Sequence, residues 1–221
     1  MKLRSARIGC HIMNTFLAAL VYADDIVLLA PTRSTLQSLL NVAEDYAKEW
    51  CIVYNPLKTK VMKFGKSLIV QPLRMYENDL GFVDHYKYLG AHVIADKSFR
   101  VNSTLPLIKF RSCVNTIINV NAKPSEHVLL KLLYTNCVPI LTYACEVTGF
   151  SNGIINEMNV SLNDAIRKIF GFHRWESTRF LRTSFCYPSI SEIFEQRYQR
   201  FMSGITHTRN PTLLLLRDTA I

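Results

Sequence analysis

Two adjacent carboxylates, Asp24 and Asp25, break an apolar stretch that runs from Phe16 to Ala30, and few folds can house that arrangement. The runs on either side are short and unbroken, as in buried strands, and the acidic pair falls where a tight hairpin would turn. Pro31 closes the second run and favours strand over helix. Carboxylates at such a tip are costly to bury without a positive partner. Either the tip lies in water and the aspartates stabilise a turn, or they bind a divalent cation, whose hard charge prefers oxygen ligands. A solvated hairpin usually alternates polar and apolar residues, whereas both runs here are apolar throughout. That expectation packs the hairpin on both faces, aims its tip into a cleft, and leaves the two readings level.

The next segment has the period of an amphipathic helix. Ser34 and Gln37 fit a capping box, and Leu36, Leu39, Leu40, Ala43, Tyr46, Ala47 and Trp50 follow at the three-and-four spacing of one buried face. Cys51–Tyr54 and Val61–Phe64 then read as strands about an Asn55-Pro56 turn, followed by strand-like runs at 68–70, 74–76 and 86–94. Beyond residue 102 the period becomes helical throughout. One helix runs through Leu105 to Ile118, and a second starts at Ser125 and breaks near Pro139. A third covers Ile154 to Ile169 with Gly171 as its stop, and a fourth starts at Ser189. The spacing predicts an α+β front joined near residues 95–103 to an all-helical back.

At 221 residues and 49% hydrophobic content the chain can bury a real core. Its longest apolar run, Phe16 to Ala23, is short of the roughly 20 residues of a membrane helix. The basic N-terminus lacks a signal-peptide core, so the expected location is intracellular, in cytoplasm or nucleus, with no membrane partner. The cysteines, Cys10, Cys51, Cys113, Cys137, Cys145 and Cys186, are scattered and read as buried reduced thiols rather than zinc ligands. The net charge of +9 is spread along the chain, with 13 basic and 9 acidic side chains in residues 1–101 and 13 and 8 in 102–221. Such an excess suits a polyanionic partner.

Taken together, these residues have a family likeness. Tyr22-Ala23-Asp24-Asp25 resembles the YxDD box of reverse transcriptases, and its surroundings, Leu20 to Pro31, are similar to those of LINE-type (non-LTR) retrotransposon enzymes. The helix over 34–50 and the segment Tyr54-Asn55-Pro56-Leu57-Lys58-Thr59-Lys60 resemble the end of the polymerase palm. Tyr86-Lys87-Tyr88-Leu89-Gly90 is similar to the primer-grip turn. Ala165 to Trp175 is similar to the helix and Arg-Trp turn that follow the palm, and the likeness fades after about residue 205.

What the resemblance implies is RNA-templated nucleotidyl transfer to a primer 3′ end, with two Mg²⁺ or Mn²⁺ ions roughly 3.5–4 Å apart. On that basis residues 1–98 correspond to a partial palm (hairpin, helix, short antiparallel strands) and 99–221 to a helical thumb and post-polymerase region. Asp24 would hold the metals with Asp25 in support. Tyr22 would pack beside the primer terminus or incoming nucleotide, and Lys58 would neutralise the triphosphate or protonate the leaving group. Tyr88, Leu89 and Gly90 would support the primer strand. Their plainer readings are a solvated turn lysine and a strand-turn in which Gly90 supplies backbone freedom.

The pattern breaks upstream. The family places a further metal-binding carboxylate on a strand before the YxDD box, and none of the 23 residues preceding Asp24 is Asp or Glu. A loose site catalyses poorly, so the resemblance implies a fragment from a truncated element, inactive alone unless a partner chain supplies the missing strand. Loss of that strand would also leave an apolar sheet edge exposed and the front less well held than the helices. The rival reading is a non-catalytic remnant that keeps RNA or DNA affinity through Arg167, Lys168, Arg174, Arg179 and Arg182, with Trp175 available for stacking. The residue pattern alone favours Trp175 in the core and the arginines on nucleic acid. A third reading is a relic with no function left.

Overall fold

In the computed structural model, residues 8–13, 15–65, 71–96, 99–121, 124–210 and 212–215 are described. The chain is mixed, 50% helical and 16% strand, with small sheets, and so belongs to the α+β class. It divides into two compact units. The first holds the described residues up to Lys87 with those of 93–99 and of 210–221, and the second holds Tyr88–His92 with the described residues of 100–209.

In the first unit, β1 (His11–Ile12) and β2 (Thr15–Phe16) pair antiparallel. The acidic hairpin follows as β3 (Ala19–Tyr22) and β4 (Asp25–Leu28), in the register Ala19↔Leu28, Leu20↔Val27, Val21↔Ile26 and Tyr22↔Asp25. The pairing continues past the strands, because Leu29 N–H donates to Ala18 O at 2.8 Å and Cys10 N–H to Leu29 O at 3.2 Å. Gly9 is needed beside it: a Cβ there would lie 2.3 Å from that of Ala18. Only the base of the hairpin is held this way. Leu20, Val21, Tyr22, Ile26 and Leu29 are exposed, so among the described residues the hairpin is not packed on both faces as the unbroken runs suggest.

Helix α1 (Arg33–Glu49) buries Leu39, Leu40, Ala43 and Ala47, which is most of the expected face. Its cap is Thr32, whose hydroxyl accepts from Thr35 N–H at 3.2 Å, and not Ser34. Thr32 is the last extended residue, with φ −130° and ψ 157°, and its hydroxyl takes the cap. Gln37 is therefore free to bond elsewhere: it donates to Arg74 O at 2.8 Å and accepts from Arg74 N–H at 2.9 Å. Trp50, expected on the buried face, is exposed at the helix end.

The strand expected over Cys51–Tyr54 is a loop. Cys51 takes a left-handed φ of 54°, and Ile52 N–H returns to Ala47 O at 2.8 Å. This closes the helix as a Schellman turn without the usual glycine. The next pairings are two residues long: β5 (Lys60–Val61), β6 (Arg74–Met75), β7 (Asn78–Asp79) and β8 (Gly81–Phe82). β5 runs parallel to β8, and β6 antiparallel to β7. The expected strand at 68–70 lies outside the described residues. Two small cores result, one of Leu40, Val61, Leu73, Met75 and Leu80, the other of Ala18 and Leu39. Strands β9 (His85–Tyr88), β10 (Ala91–Ala95) and β11 (Phe99–Val101) form a sheet in the order β11-β10-β9.

The second unit is built on helices. α2 (Thr104–Ile118) starts where the Asn102 carboxamide accepts from Thr104 and Leu105 N–H groups, at 2.9 and 3.1 Å. α3 (Glu126–Leu132) passes into a π-helical turn, Leu133–Cys137, and then α4 (Val138–Thr142). Pro139 has no N–H to give the ladder, and Val138 N–H reaches back to Leu133 O around the wide turn. The expected break near Pro139 is thus a change of pitch, and the chain turns only at Tyr143 and Ala144, the latter with φ 54°.

α5 (Cys145–Thr148), α6 (Asn152–Phe170), α7 (Arg179–Ser184) and α8 (Ile190–Thr206) complete the unit. Gly171 ends α6 as expected, with φ 66°. Ser189 and Glu192 close a capping box on α8. Eighteen buried residues make one core, with Phe110, Leu130, Leu133, Leu141, Met158, Leu162, Ile166 and Ile190 at its centre.

Two corrections concern composition. The helical run Glu126–Thr148 is long and apolar enough to cross a membrane by length and composition alone, contrary to the reading from uninterrupted runs. Leu129, Leu130, Leu133, Cys137, Val138, Leu141 and Cys145 are buried core residues, which accounts for that apolarity. Of the cysteines only Cys137 and Cys145 are buried, while Cys51 and Cys186 are exposed.

Candidate functional site

The expected site residues fall into three places. The first is the tip of the β3–β4 hairpin. Its two-residue turn is Ala23-Asp24, not Asp24-Asp25, because Tyr22 pairs with Asp25. Ala23 has φ 51° and is the only turn residue with positive φ, as in a type II′ turn, where glycine is the usual occupant. Asp25 is a strand residue on the face that carries Tyr22, Leu20 and Val27, while Asp24 is the turn itself. Both carboxylates are exposed and make no hydrogen bond or ion pair among the described residues. Tyr22 is 65% exposed. The tip stands in solvent, not in a cleft.

Lys58 lies elsewhere in the same unit, on a turn built by Asn55. The Asn55 side-chain oxygen accepts from Leu57 and Lys58 N–H groups at 3.0 and 3.2 Å, and its carbonyl accepts from Thr59 N–H at 3.0 Å. An Asx turn of this kind explains why asparagine opens the Asn-x-x-Lys-Thr segment. Lys58 itself is exposed.

The donor set for a metal is therefore two exposed carboxylates. Among the described residues no group of three or more His, Cys, Asp and Glu comes together. Two adjacent aspartates fall short of the ligands that fix a pair of ions, so the residues present do not fit a complete two-metal centre.

The second place is the turn between β9 and β10, in the helical unit. Leu89 and Gly90 have φ 44° and 84°, the signature of a type I′ hairpin turn. The Tyr143 hydroxyl donates to Leu89 O. A Cβ on Gly90 would lie 3.0 Å from the Tyr143 hydroxyl and 3.1 Å from its ring, so the positive φ favours glycine here and the neighbour leaves a side chain little room. Tyr88 is half-buried at the strand end. The turn borders a cavity of about 370 Å³ whose walls include His92, Leu105, Lys109 and Phe150. Nothing in the sequence marks Tyr143 as the partner, because the pairing spans 54 residues.

The third place is the end of α6 and the loop after it, where the five basic residues separate. The Arg167 guanidinium donates to Asp164 at 2.8 Å and to Glu176 O at 3.0 Å, and its side chain is 20% exposed, so it ties down the loop. Arg182 is half-buried, and its Nε is buried without a hydrogen-bond partner among the described residues. Lys168, Arg174 and Arg179 are exposed, and their side chains make no hydrogen bond or ion pair among the described residues.

Trp175 corrects the core expectation outright: it is 82% exposed and stacked on His173, with centroids 4.7 Å apart and planes 4° from parallel. The three-and-four period ends at Gly171, so helical spacing carries no information about the burial of Trp175. His173, which the sequence reading passed over, has no signal beyond its place two residues before the tryptophan.

Comparison with family models, curated proteins and solved structures gives no match.

Proposed function

We propose that this chain is the palm-end and thumb portion of an RNA-directed DNA polymerase of the non-LTR retrotransposon class, catalytically incomplete by itself. The observation that carries the reading is order. The Tyr22-Ala23-Asp24-Asp25 box, the Asn55 turn with Lys58 and the Tyr88-Leu89-Gly90 segment follow one another along the chain, and each sits on a tight turn.

On this reading Asp24 and Asp25 are ligands for Mg²⁺ or Mn²⁺ that need a third carboxylate from a partner chain or an upstream strand. Tyr22 and the Leu89-Gly90 turn belong to the primer end, and RNA template and DNA primer are the partners. No transfer step is assigned to the 221 residues, since the two aspartates alone do not complete the centre.

The test is primer extension on an RNA template with Mg²⁺ or Mn²⁺, comparing the chain with Asp24→Ala. The expected result is no extension above the variant. Extension that Asp24→Ala abolishes would sink the incompleteness argument and direct attention to Asp84 and Asp96 as further ligands.

A second reading, non-catalytic binding of RNA or DNA by the helical unit, is favoured by a separate observation. Lys168 and Arg174 present cations to solvent with no carboxylate partner among the described residues, and Arg179 is exposed beside them in sequence. Affinity that falls with salt, with a slope reduced in variants of these residues, supports it.

A further inference from the structure

We infer that the loop following α6 is a base-stacking platform for unpaired nucleic acid: one face of Trp175 is backed by His173, the other receives a base, and Arg174 and Arg179 take the flanking phosphates. The inference rests on the nucleic-acid-binding reading of the helical unit and specifies its ligand as a single strand.

Presentation is the first argument. A tryptophan 82% exposed beside a large apolar core could be the accident of a loose loop, but this loop is pinned at both ends. Phe172 N–H returns to Arg167 O at 2.9 Å as α6 ends. Glu176 N–H bonds to His173 O at 3.1 Å, the Glu176 carboxylate accepts from His173 N–H, and Glu176 O accepts from the Arg167 guanidinium at 3.0 Å. Two residues further on, Thr178 is buried and donates to the Asn163 side chain at 2.8 Å. The backbone of 171–178 is thereby fastened to α6, and the indole is held outward.

Ring geometry is the second. With His173 parallel to the indole on one side, a planar ligand has a single face to use and meets a two-ring stack already in place. Aromatic side chains bind bases in this way with little sequence preference, since every base has a π-face. A duplex offers no such face in its interior, so the platform selects unpaired strands.

Charge decides between nucleic acid and a protein partner. Residues 164–192 carry Arg167, Lys168, Arg174, Arg179 and Arg182 against Asp164, Glu176 and Glu192. Asp164 pairs with Arg167, Glu176 is engaged with the loop backbone, and Glu192 lies in the field of Arg182 and Arg179, which leaves Lys168 and Arg174 without a carboxylate partner among the described residues. The segment that carries the indole is thus net basic, which complements a phosphate backbone.

The experiment uses the full chain and a labelled, unstructured oligonucleotide of about 16 nucleotides, followed by anisotropy. A Trp50→Phe background makes Trp175 the sole tryptophan, since the chain has two. Addition of the strand is expected to quench its fluorescence. Trp175→Leu, which keeps an apolar side chain but no ring, is expected to weaken binding about tenfold or more, and Trp175→Phe to recover part of the loss. Arg174→Gln and Arg179→Gln each reduce the salt slope by about 0.7. A duplex of the same length binds more weakly and does not quench.

If the unsubstituted chain binds the strand and Trp175→Leu binds it equally well, the platform is wrong while nucleic-acid binding stands. If duplex and single strand bind and quench alike, selection of unpaired strands is wrong. If the unsubstituted chain binds neither, the platform and the reading beneath it fall together.

Discussion

Leu89 holds a backbone conformation that a residue with a Cβ seldom takes, and the turn it shares with Gly90 shows how single positions hold this structure. At φ 44° the leucine Cβ crowds its own backbone, at a cost of about 1 kcal/mol or more. Asparagine tolerates this region, and Asn-Gly is the favoured pair for a type I′ turn. Leu89→Asn is therefore expected to stabilise the protein by up to about 1 kcal/mol, read from the midpoint of denaturant unfolding. Its neighbour behaves oppositely. Gly90→Ala adds a methyl at φ 84° against the Tyr143 ring and should cost about 1–2 kcal/mol. An unchanged midpoint in Gly90→Ala would mean that the turn neither holds this left-handed backbone nor packs on Tyr143. The sequence reads 86–94 as one strand-like run with Gly90 as a point of backbone freedom, and the structure splits it there into β9 and β10. The docking was not legible, because the contact is made across 54 residues of chain.

Among the elements, α8 shows where local sequence suffices. Ser189 and Glu192 lie three apart before an apolar-periodic run, and both bonds of the capping box form. The Ser189 hydroxyl accepts from Glu192 N–H at 3.2 Å, and the Glu192 carboxylate accepts from Ser189 N–H at 2.6 Å. The Ser189 backbone and side-chain bonds hold the Glu192 carboxyl below its ordinary value of 4.5. A carboxyl lowered on folding adds stability that is present above its unfolded value and is lost as the pH falls through its folded one. Helical signal should therefore weaken from about pH 4.5 downward, and Glu192→Gln should flatten that part of an acid titration followed by circular dichroism. Ser189→Ala should cost about 1 kcal/mol at neutral pH.

The start of α1 shows the same logic misplaced. Ser34 and Gln37 have the right spacing, yet Thr32 caps the helix, and Gln37 bonds both polar groups of Arg74 instead. A three-residue spacing does not fix where the helix begins when another capping side chain, Thr32, stands two residues earlier. The short pairs β5 to β8 were harder still. Two-residue strands have no period to read, and a parallel pairing of residues 60–61 with 81–82 leaves no local trace.

At the scale of the whole molecule, the change from short strands to helices after Val101 was legible because the hydrophobic period changes near residue 102, and periodicity reports on burial. The same logic failed at the acidic hairpin. Unbroken apolar runs were read as packed on both faces, but Leu20, Val21 and Tyr22 lie in solvent. Period states which residues could be buried; a second layer must exist to bury them, and the described residues supply one only at the hairpin base. The two units accordingly differ in what holds them. Among the described residues, eighteen buried ones form one core in the helical unit, against clusters of five and two in the front. Apolar burial is the main favourable term in folding, so the front should open at lower free energy. Hydrogen exchange followed by mass spectrometry tests this directly: amides of 104–118 and 152–170 should exchange more slowly than those of 33–49, although all three are helices of similar length. Paired core truncations add a second readout. Leu133→Ala and Leu39→Ala each remove a side chain with no exposure and should each cost about 2–5 kcal/mol. Leu39→Ala should accelerate exchange in the front while leaving 152–170 protected. Leu133→Ala should loosen the helical unit. Equal protection of all three helices, with both variants affecting them alike, would mean that the chain opens as one cooperative body and that the small front cores are as firmly held as the large one.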